Sequence, residues 1–325
     1  MKKLYPAISV FMLMAAQTAG REVNMDFAEN SWPRVVTDGG VVVLVGQTRQ
    51  VEGPRPMGLN QQQGTAVVTV IRELTPGLWH GGPELSVRFT QLASWKSRLR
   101  EGNGGWNGVD VRGGVMLLMA LARGQNGDNS APVPLEAVSQ ISSPDDSQVA
   151  AVAQALHIEA TQAQQERLRL LQQALNSGMP VLESYAHFAL GRKQRVPRAE
   201  AAALEITLLL DATKPETNRL AAESTLELEL WADADPHDEV NKSITSALLQ
   251  VLARQDPHLQ RPATISLYRL LFSSAPSDPA AAQMYRSELL KDVKIPDVQA
   301  LRTALRELQK DTALRRQAEE LMHLF

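Results

Sequence analysis

Ser142–Asp146 reads SSPDD, and at this pentapeptide the spacing of apolar residues along the chain changes. Upstream, short apolar runs alternate with period two and are separated by glycine and proline. Downstream, apolar residues recur every three or four positions. Pro144 suits the start of a helix, and Asp145 and Asp146 favour its positive end. The helical half is therefore expected to begin near residue 145, after a polar, turn-rich junction at Gly124–Pro134 (GQNGDNSAPVP).

Downstream, Arg167–Ala174 places Leu168, Leu171 and Ala174 near one face. Pro180–Leu190 sets Val181, Tyr185, Phe188 and Ala189 along another stripe. Helical stretches follow at Pro197–Leu210, Pro215–Trp231, Asp238–Ala253, Pro262–Phe272, Pro279–Leu290, Pro296–Leu308 and Thr312–Leu324. The starts recur, dividing the region into pairs Met179–Lys214, Pro215–Pro257, His258–Lys294 and Ile295–Phe325. Such spacing, about 40 residues, is that of stacked helix pairs, each burying one face on its neighbour. A plain helical bundle has the same periodicity.

Upstream, Gly39–Gly46 (GGVVVLVG), Gly64–Leu74 (GTAVVTVIREL) and Glu84–Leu92 (ELSVRFTQL) are predicted strands. In the last, Leu85, Val87 and Phe89 point one way. Gly114–Ala122 (GVMLLMALA) is a fourth, with a composition that also fits a buried helical turn. Gly53–Gln63, Pro76–Pro83 and Gly102–Gly108 read as loops. The expectation is an α+β two-part protein. A small β-sheet or barrel-like domain over residues 21–140 precedes an all-α array over residues 145–325.

Residues 1–20, MKKLYPAISVFMLMAAQTAG, have the layout of a secretory signal: Lys2 and Lys3, a largely apolar stretch Leu4–Ala16, then small residues. Cleavage is expected after Ala19 or Gly20, with a periplasmic or extracellular destination and no integral membrane segment afterwards. The chain contains no cysteine, which excludes disulfides, thiolate metal sites and a cysteine nucleophile. Its formal charge is −3, and residues 21–140 carry eleven acidic and eleven basic side chains, so nucleic acid is not an expected partner.

Among candidate binding residues, Trp79 and His80 sit in a glycine- and proline-rich loop, suited either to gripping a ligand or to covering a sheet edge. Trp106 lies in GNGGWNG, where Asn107 occupies the position that a G-x-G-x-x-G loop requires to be glycine. Arg192, Lys193, Arg195 and Arg198 form a basic patch in GRKQRVPR, suited to an acidic partner or to a solvated inter-helix loop. Asp233, Asp235, His237, Asp238 and Glu239 cluster in WADADPHDEV without EF-hand spacing, so a helix–helix turn is expected there rather than a metal site. His80 has no nearby histidine at ligand spacing. No G-x-S-x-G or H-E-x-x-H motif occurs, and no catalytic residue, metal or cofactor is assigned.

Two resemblances rest on residues already quoted. Pro215–Leu226 (PETNRLAAESTL) and Pro296–Leu305 (PDVQALRTAL) resemble HEAT-like, or more general α-solenoid, repeats. The resemblance implies protein–protein contact through an extended surface and supplies no chemistry. Val41–Gly46, Val68–Leu74 and Gly114–Leu118 resemble strands of small secreted β domains, a resemblance that brings no catalytic residue. The expected function is an exported, non-catalytic interaction or scaffold protein with a protein partner. The alternatives are an envelope hydrolase with an interdomain cleft and a small-ligand binder using the β-domain loops.

Overall fold

The computed structural model describes residues 27–38, 41–56, 61–92, 113–122, 133–192, 196–231, 235–295 and 297–325. The expected signal at 1–20 and the GNGGWNG loop lie outside the described residues. The chain divides into two units, Val41–Pro144 with Met1–Ser31, and Asp145–Phe325 with Trp32–Gly40.

Among the described residues, the first unit forms a closed barrel of five strands. They are β1 (Val41–Pro56), β2 (Gln61–Glu73), β3 (Glu84–Leu92), β4 (Met116–Ala122) and β5 (Val133–Ile141). Around the barrel the order is β1-β2-β3-β5-β4. β3 and β5 run parallel through Val87↔Val133 and Arg88↔Pro134, and the other pairings are antiparallel. This is the strand order of the five-stranded Greek-key barrel called the OB fold.

β1 makes closure possible because it is long and bulged. Val41–Gln47 pairs with β4 while Leu44–Pro56 pairs with β2, and register shifts at Val45/Gly46, Thr48/Gln50 and Glu52/Arg55 bend it. At the first bend the strands approach so closely that a Cβ on Gly46 would stand 2.4 Å from Val68 Cγ1 and 2.9 Å from the Thr69 carbonyl oxygen. Val42, Leu44, Val68, Leu85, Val87, Leu117, Met119, Leu121 and Val138 fill the interior. Val41, Val43 and Val45 are buried too, so this part of β1 is covered on both faces. That explains its continuous apolar run, where a half-exposed strand would alternate.

Three sequence expectations for this half need correction. Gly53–Gln63 is not one loop: β1 continues through Pro56 and β2 begins at Gln61, with only residues 57–60 outside the description. The shift between Glu52 and Arg55, where Gly53 takes φ 107°, accommodates the proline-rich stretch within the pairing. β5 occupies Val133–Ile141, a segment given no strand and overlapping the expected junction loop. Its register shifts opposite Ala120/Leu121, so Leu135 and Val138, three apart, both reach the core and the two-residue alternation is lost. Finally, a helix, α1 (Phe27–Asp38), lies within the range expected to be β-rich. Pro33 disguises it, but Trp32, Val35 and Val36 are buried at i, i+3 and i+4.

Among the described residues, the second unit carries ten further helices. They are α2 (Ser147–Ala160), α3 (Gln164–Ala174), α4 (Pro180–Gly191), α5 (Arg198–Leu210), α6 (Glu216–Thr225), α7 (Glu239–Ala253), α8 (Gln260–Tyr268), α9 (Pro279–Leu290), α10 (Val298–Leu308) and α11 (Arg315–Met322). α6 and α8 each continue into a π-helical turn, Leu226–Leu230 and Arg269–Ser273. The prolines at α4 and α9 stand in the first helical turn, whereas Pro197 and Pro215 stand just before theirs, at the N-caps of α5 and α6. α8 starts two residues before Pro262. Aspartates cap α2, α7, α9 and α10 through Asp146, Asp238, Asp278 and Asp297.

Most of these helices pack on a sequence neighbour, and many also on the helix two further along. One row runs α2, α4, α6, α8, α11, and α5, α7 and α10 form a second. This is a solenoid-like helical array. Arginines tie its layers by satisfying helix-end carbonyls. Arg219 donates to the Leu209 carbonyl at 3.1 Å and to Asp256 at 2.6 Å. Arg254 donates to the Leu210 carbonyl at 2.5 Å. Arg198 donates to the Leu230 carbonyl at 2.5 Å, to Asp238 at 2.6 Å and to Asn241. Among the described residues, no helix is long and apolar enough to cross a membrane.

Candidate interaction surface

The row α4, α6, α8 brings three C-terminal helix ends to one edge. Gly191, closing α4, leaves no room for a Cβ, which would fall 2.9 Å from Cβ and Cγ of Glu229 in the π turn of α6. Glu227 in the same turn accepts from Arg269 Nη1 in the π turn of α8 at 2.7 Å. C-terminal part thus meets C-terminal part twice, which brings the three ends together along this row.

That edge carries apolar and cationic side chains together. Phe188 and Leu228 are exposed, at 37% and 40%. The Arg192 guanidinium lies 4.9 Å from the centroid of the Phe188 ring. On α8, Tyr268 and Phe272 stack at 4.9 Å, and Arg286 from α9 stands 5.0 Å from the Phe272 ring. Cations are electrostatically favoured where carbonyl groups at helix C-termini point outward. Tyr268 Oη also donates to Glu320 of α11 at 3.1 Å, and Glu320 accepts from Arg316 at 2.8 Å. The Arg316 bond holds the Glu320 carboxyl below its usual range, while burial is the main cause that raises Tyr268.

Behind the edge the array is unusually polar. Glu223 and Glu227 of α6 meet Ser266 of α8, all three buried. Burial pushes the Glu223 carboxyl up to about 7, the Ser266 hydrogen bond acting against it. His187 of α4 and Glu205 of α5 are also buried, with His187 Nδ1 2.9 Å from both carboxyl oxygens. His187 Nε2 meets no hydrogen-bond partner among the described residues. Glu159 of α2 accepts from Tyr185 at 2.9 Å and from Arg167 at 2.9 Å, and burial raises the Tyr185 hydroxyl.

The residues singled out from sequence fall in separate places. Trp79 lies in the β2–β3 loop, half-buried against the barrel core, with Nε1 donating to the Gly82 carbonyl at 3.3 Å. Its own backbone N–H and that of Leu78 donate to Glu73 at 2.8 and 2.9 Å, fixing the loop. His80, next to it, is exposed. Arg192 stands at the end of α4, on the edge described above. Trp106, Lys193 and Arg195 lie outside the described residues. Arg198, counted in the basic patch, is turned inward as an inter-helix tie.

In the acidic stretch, Asp238 caps α7 through the N–H groups of Val240 and Asn241, both at 2.9 Å. Burial opposes its ionisation, but the Asn241 N–H, the Val240 N–H and Arg198 together hold the carboxyl below its usual range. Asp235 accepts from the His237 N–H at 2.9 Å. Asp233 is outside the description. Among the described residues, no group of three or more acidic or histidine side chains is placed to hold a metal ion.

Phe188 lies on the helical stripe legible in the sequence with Val181, Tyr185 and Ala189, whereas Leu228 is not marked there. The signal for Leu228 is in LELEL, Leu226–Leu230: three leucines two apart span too wide an arc of a helix for all to be buried. Leu226 and Leu230 are buried, and Leu228 faces out. No family model, no curated protein and no solved structure matches the chain.

Proposed function

We propose that this is an exported protein-interaction protein, and that its helical array holds an apolar, acid-flanked segment of a protein partner along the edge formed by the ends of α4, α6 and α8. The observation that carries the reading is the exposure of Phe188 and Leu228, beside Tyr268, Phe272 and two arginines, at one edge of the array. Aromatic and arginine side chains supply most anchoring energy in protein interfaces. Arginines at the edge match acidic flanks on the partner, and Phe188 and Leu228 match its apolar side chains. We read the helix pairs as HEAT-like, which fits binding along a row of helix ends. Export follows from the layout of residues 1–20. The barrel interior is filled by side chains, which leaves the recognition of a separate surface as the role of the β unit.

The test is capture from the exported fraction by the full chain, compared with the Phe188→Asp/Leu228→Asp double variant. The expected result is a specific protein retained by the native chain and lost by the variant, with equal helical circular dichroism. Equal retention by both proteins would refute the assignment of this edge.

A further inference from the structure

Ser266 has one hydroxyl proton, yet its Oγ contacts two carboxyl groups. Glu227 Oε2 lies 2.7 Å away, and Glu223 Oε1 is also within hydrogen-bonding reach. A serine hydroxyl donates once and otherwise accepts, and an ionised carboxylate only accepts. With both glutamates ionised, one of these two oxygen–oxygen contacts would have no proton between its atoms. The second proton must therefore sit on a carboxyl group.

The surroundings decide which one. Glu227 Oε1 accepts from Arg269 Nη1 at 2.7 Å, so its charge is compensated. Glu223 is 1% exposed and bonds only Ser266 among the described residues. Glu227 and Arg269 act electrostatically on Glu223 in opposite directions, and other charged groups nearby bond one another. His187 of α4 bonds Glu205 of α5, and Arg219 of α6 bonds Asp256. An isolated buried carboxylate is costly, whereas a buried carboxylic acid with an acceptor is not.

We infer that Glu223 is kept as a neutral carboxylic acid in the folded protein, and that its proton latches α6 to α8. The chain of bonds runs one way. Glu223 donates to Ser266, Ser266 donates to Glu227, and Glu227 also accepts from Arg269. Removing the proton leaves two carboxylates sharing one hydroxyl hydrogen. The seam then weakens beside the two π turns, where a partner-induced adjustment of the edge would take place. This inference concerns the free protein and stands whether or not the edge binds a partner.

The test is infrared spectroscopy of the full chain in D2O, with pH-corrected amide exchange over 266–273 as a second readout. Near pH 6, exposed carboxyl groups are ionised, so a residual protonated-carboxyl band is expected, lost as pH rises past about 7 and missing from Glu223→Gln. The amide that this substitution introduces keeps a donor for Ser266 but cannot ionise. In the native protein, opening of the seam should rise about tenfold per pH unit between about 5 and 7 and then level off, because solvated glutamate in the open state loses its proton first. In Glu223→Gln it should not vary with pH. No protonated-carboxyl band in the native chain near pH 6, or a band unchanged in the variant, would overturn the inference. Should the variant fail to fold, the native titration alone decides.

Discussion

Replacing Arg219 by alanine removes a buried tie between three layers of the array. Its guanidinium is 8% exposed and donates at 2.6 Å to Asp256, whose side chain is 20% exposed, and at 3.1 Å to the Leu209 carbonyl that ends α5. Breaking a buried charged pair by removing one partner costs about 3–5 kcal/mol, because the other charge stays behind. Asp256 retains hydrogen bonds from the His258 N–H and some contact with water, which places the expected loss near the lower end, about 3 kcal/mol. For a unit of this size, a lowering of the melting temperature by roughly 6–12 °C follows. The assay is thermal and urea unfolding followed by helical circular dichroism, with the exposed Arg306→Ala as control.

The pH dependence supplies a second check. Burial raises the Asp256 carboxyl, but the Arg219 bond and the His258 N–H prevail and hold it below its usual 3.8. A depressed folded value means stabilisation that is present above about pH 4 and lost as pH falls through that folded value. The gap between native protein and Arg219→Ala should therefore be constant near neutrality and shrink in acid. A loss below about 0.5 kcal/mol at neutral pH, within the range of ordinary surface substitutions, would refute the role given to Arg219.

Three further outcomes are expected. Gly46→Val forces a side chain against Val68 and the Thr69 carbonyl, and should destabilise the barrel by about 1–3 kcal/mol, measured by urea unfolding followed through tryptophan fluorescence. Asp297→Ala removes the cap that accepts from the Ala300 N–H at 2.8 Å and should cost about 1 kcal/mol, whereas Asp238→Ala, which also removes the one carboxylate among Arg198's acceptors described above, should cost more in the same melts. Phe188→Asp and Leu228→Asp, at exposed positions, should each alter stability by only about 0.5 kcal/mol while abolishing capture of the partner.

The two-part architecture was legible because periodicity changes sharply near Asp146, and most helix starts carry proline or aspartate. Glu84–Leu92 was readable to the residue, since Leu85 and Val87 alternate toward a core without interruption. β5 and the long continuation of β1 were not readable. Bulges shift which residues face inward, and a local alternation pattern cannot register a bulge that the partner strand imposes. α1 was hidden by Pro33, whose usual effect on a helix is outweighed by burial of Trp32, Val35 and Val36. At the candidate edge, Arg192 was visible as part of a basic run. Glu223, Glu227 and Ser266 look like ordinary helix-surface residues in the sequence, and only the pairing of α6 with α8 brings them together. Helical periodicity reports that a face is buried, without saying which distant helix covers it.

Photo-crosslinking in the producing cells, with the reactive side chain placed in turn at Leu228, His80 and Met284, tests the interaction edge most directly. The expected result is one dominant crosslinked protein from position 228, absent from 80 and 284, and lost when Phe188 becomes aspartate. A partner captured from position 80 in the β2–β3 loop and not from 228 would contradict the account.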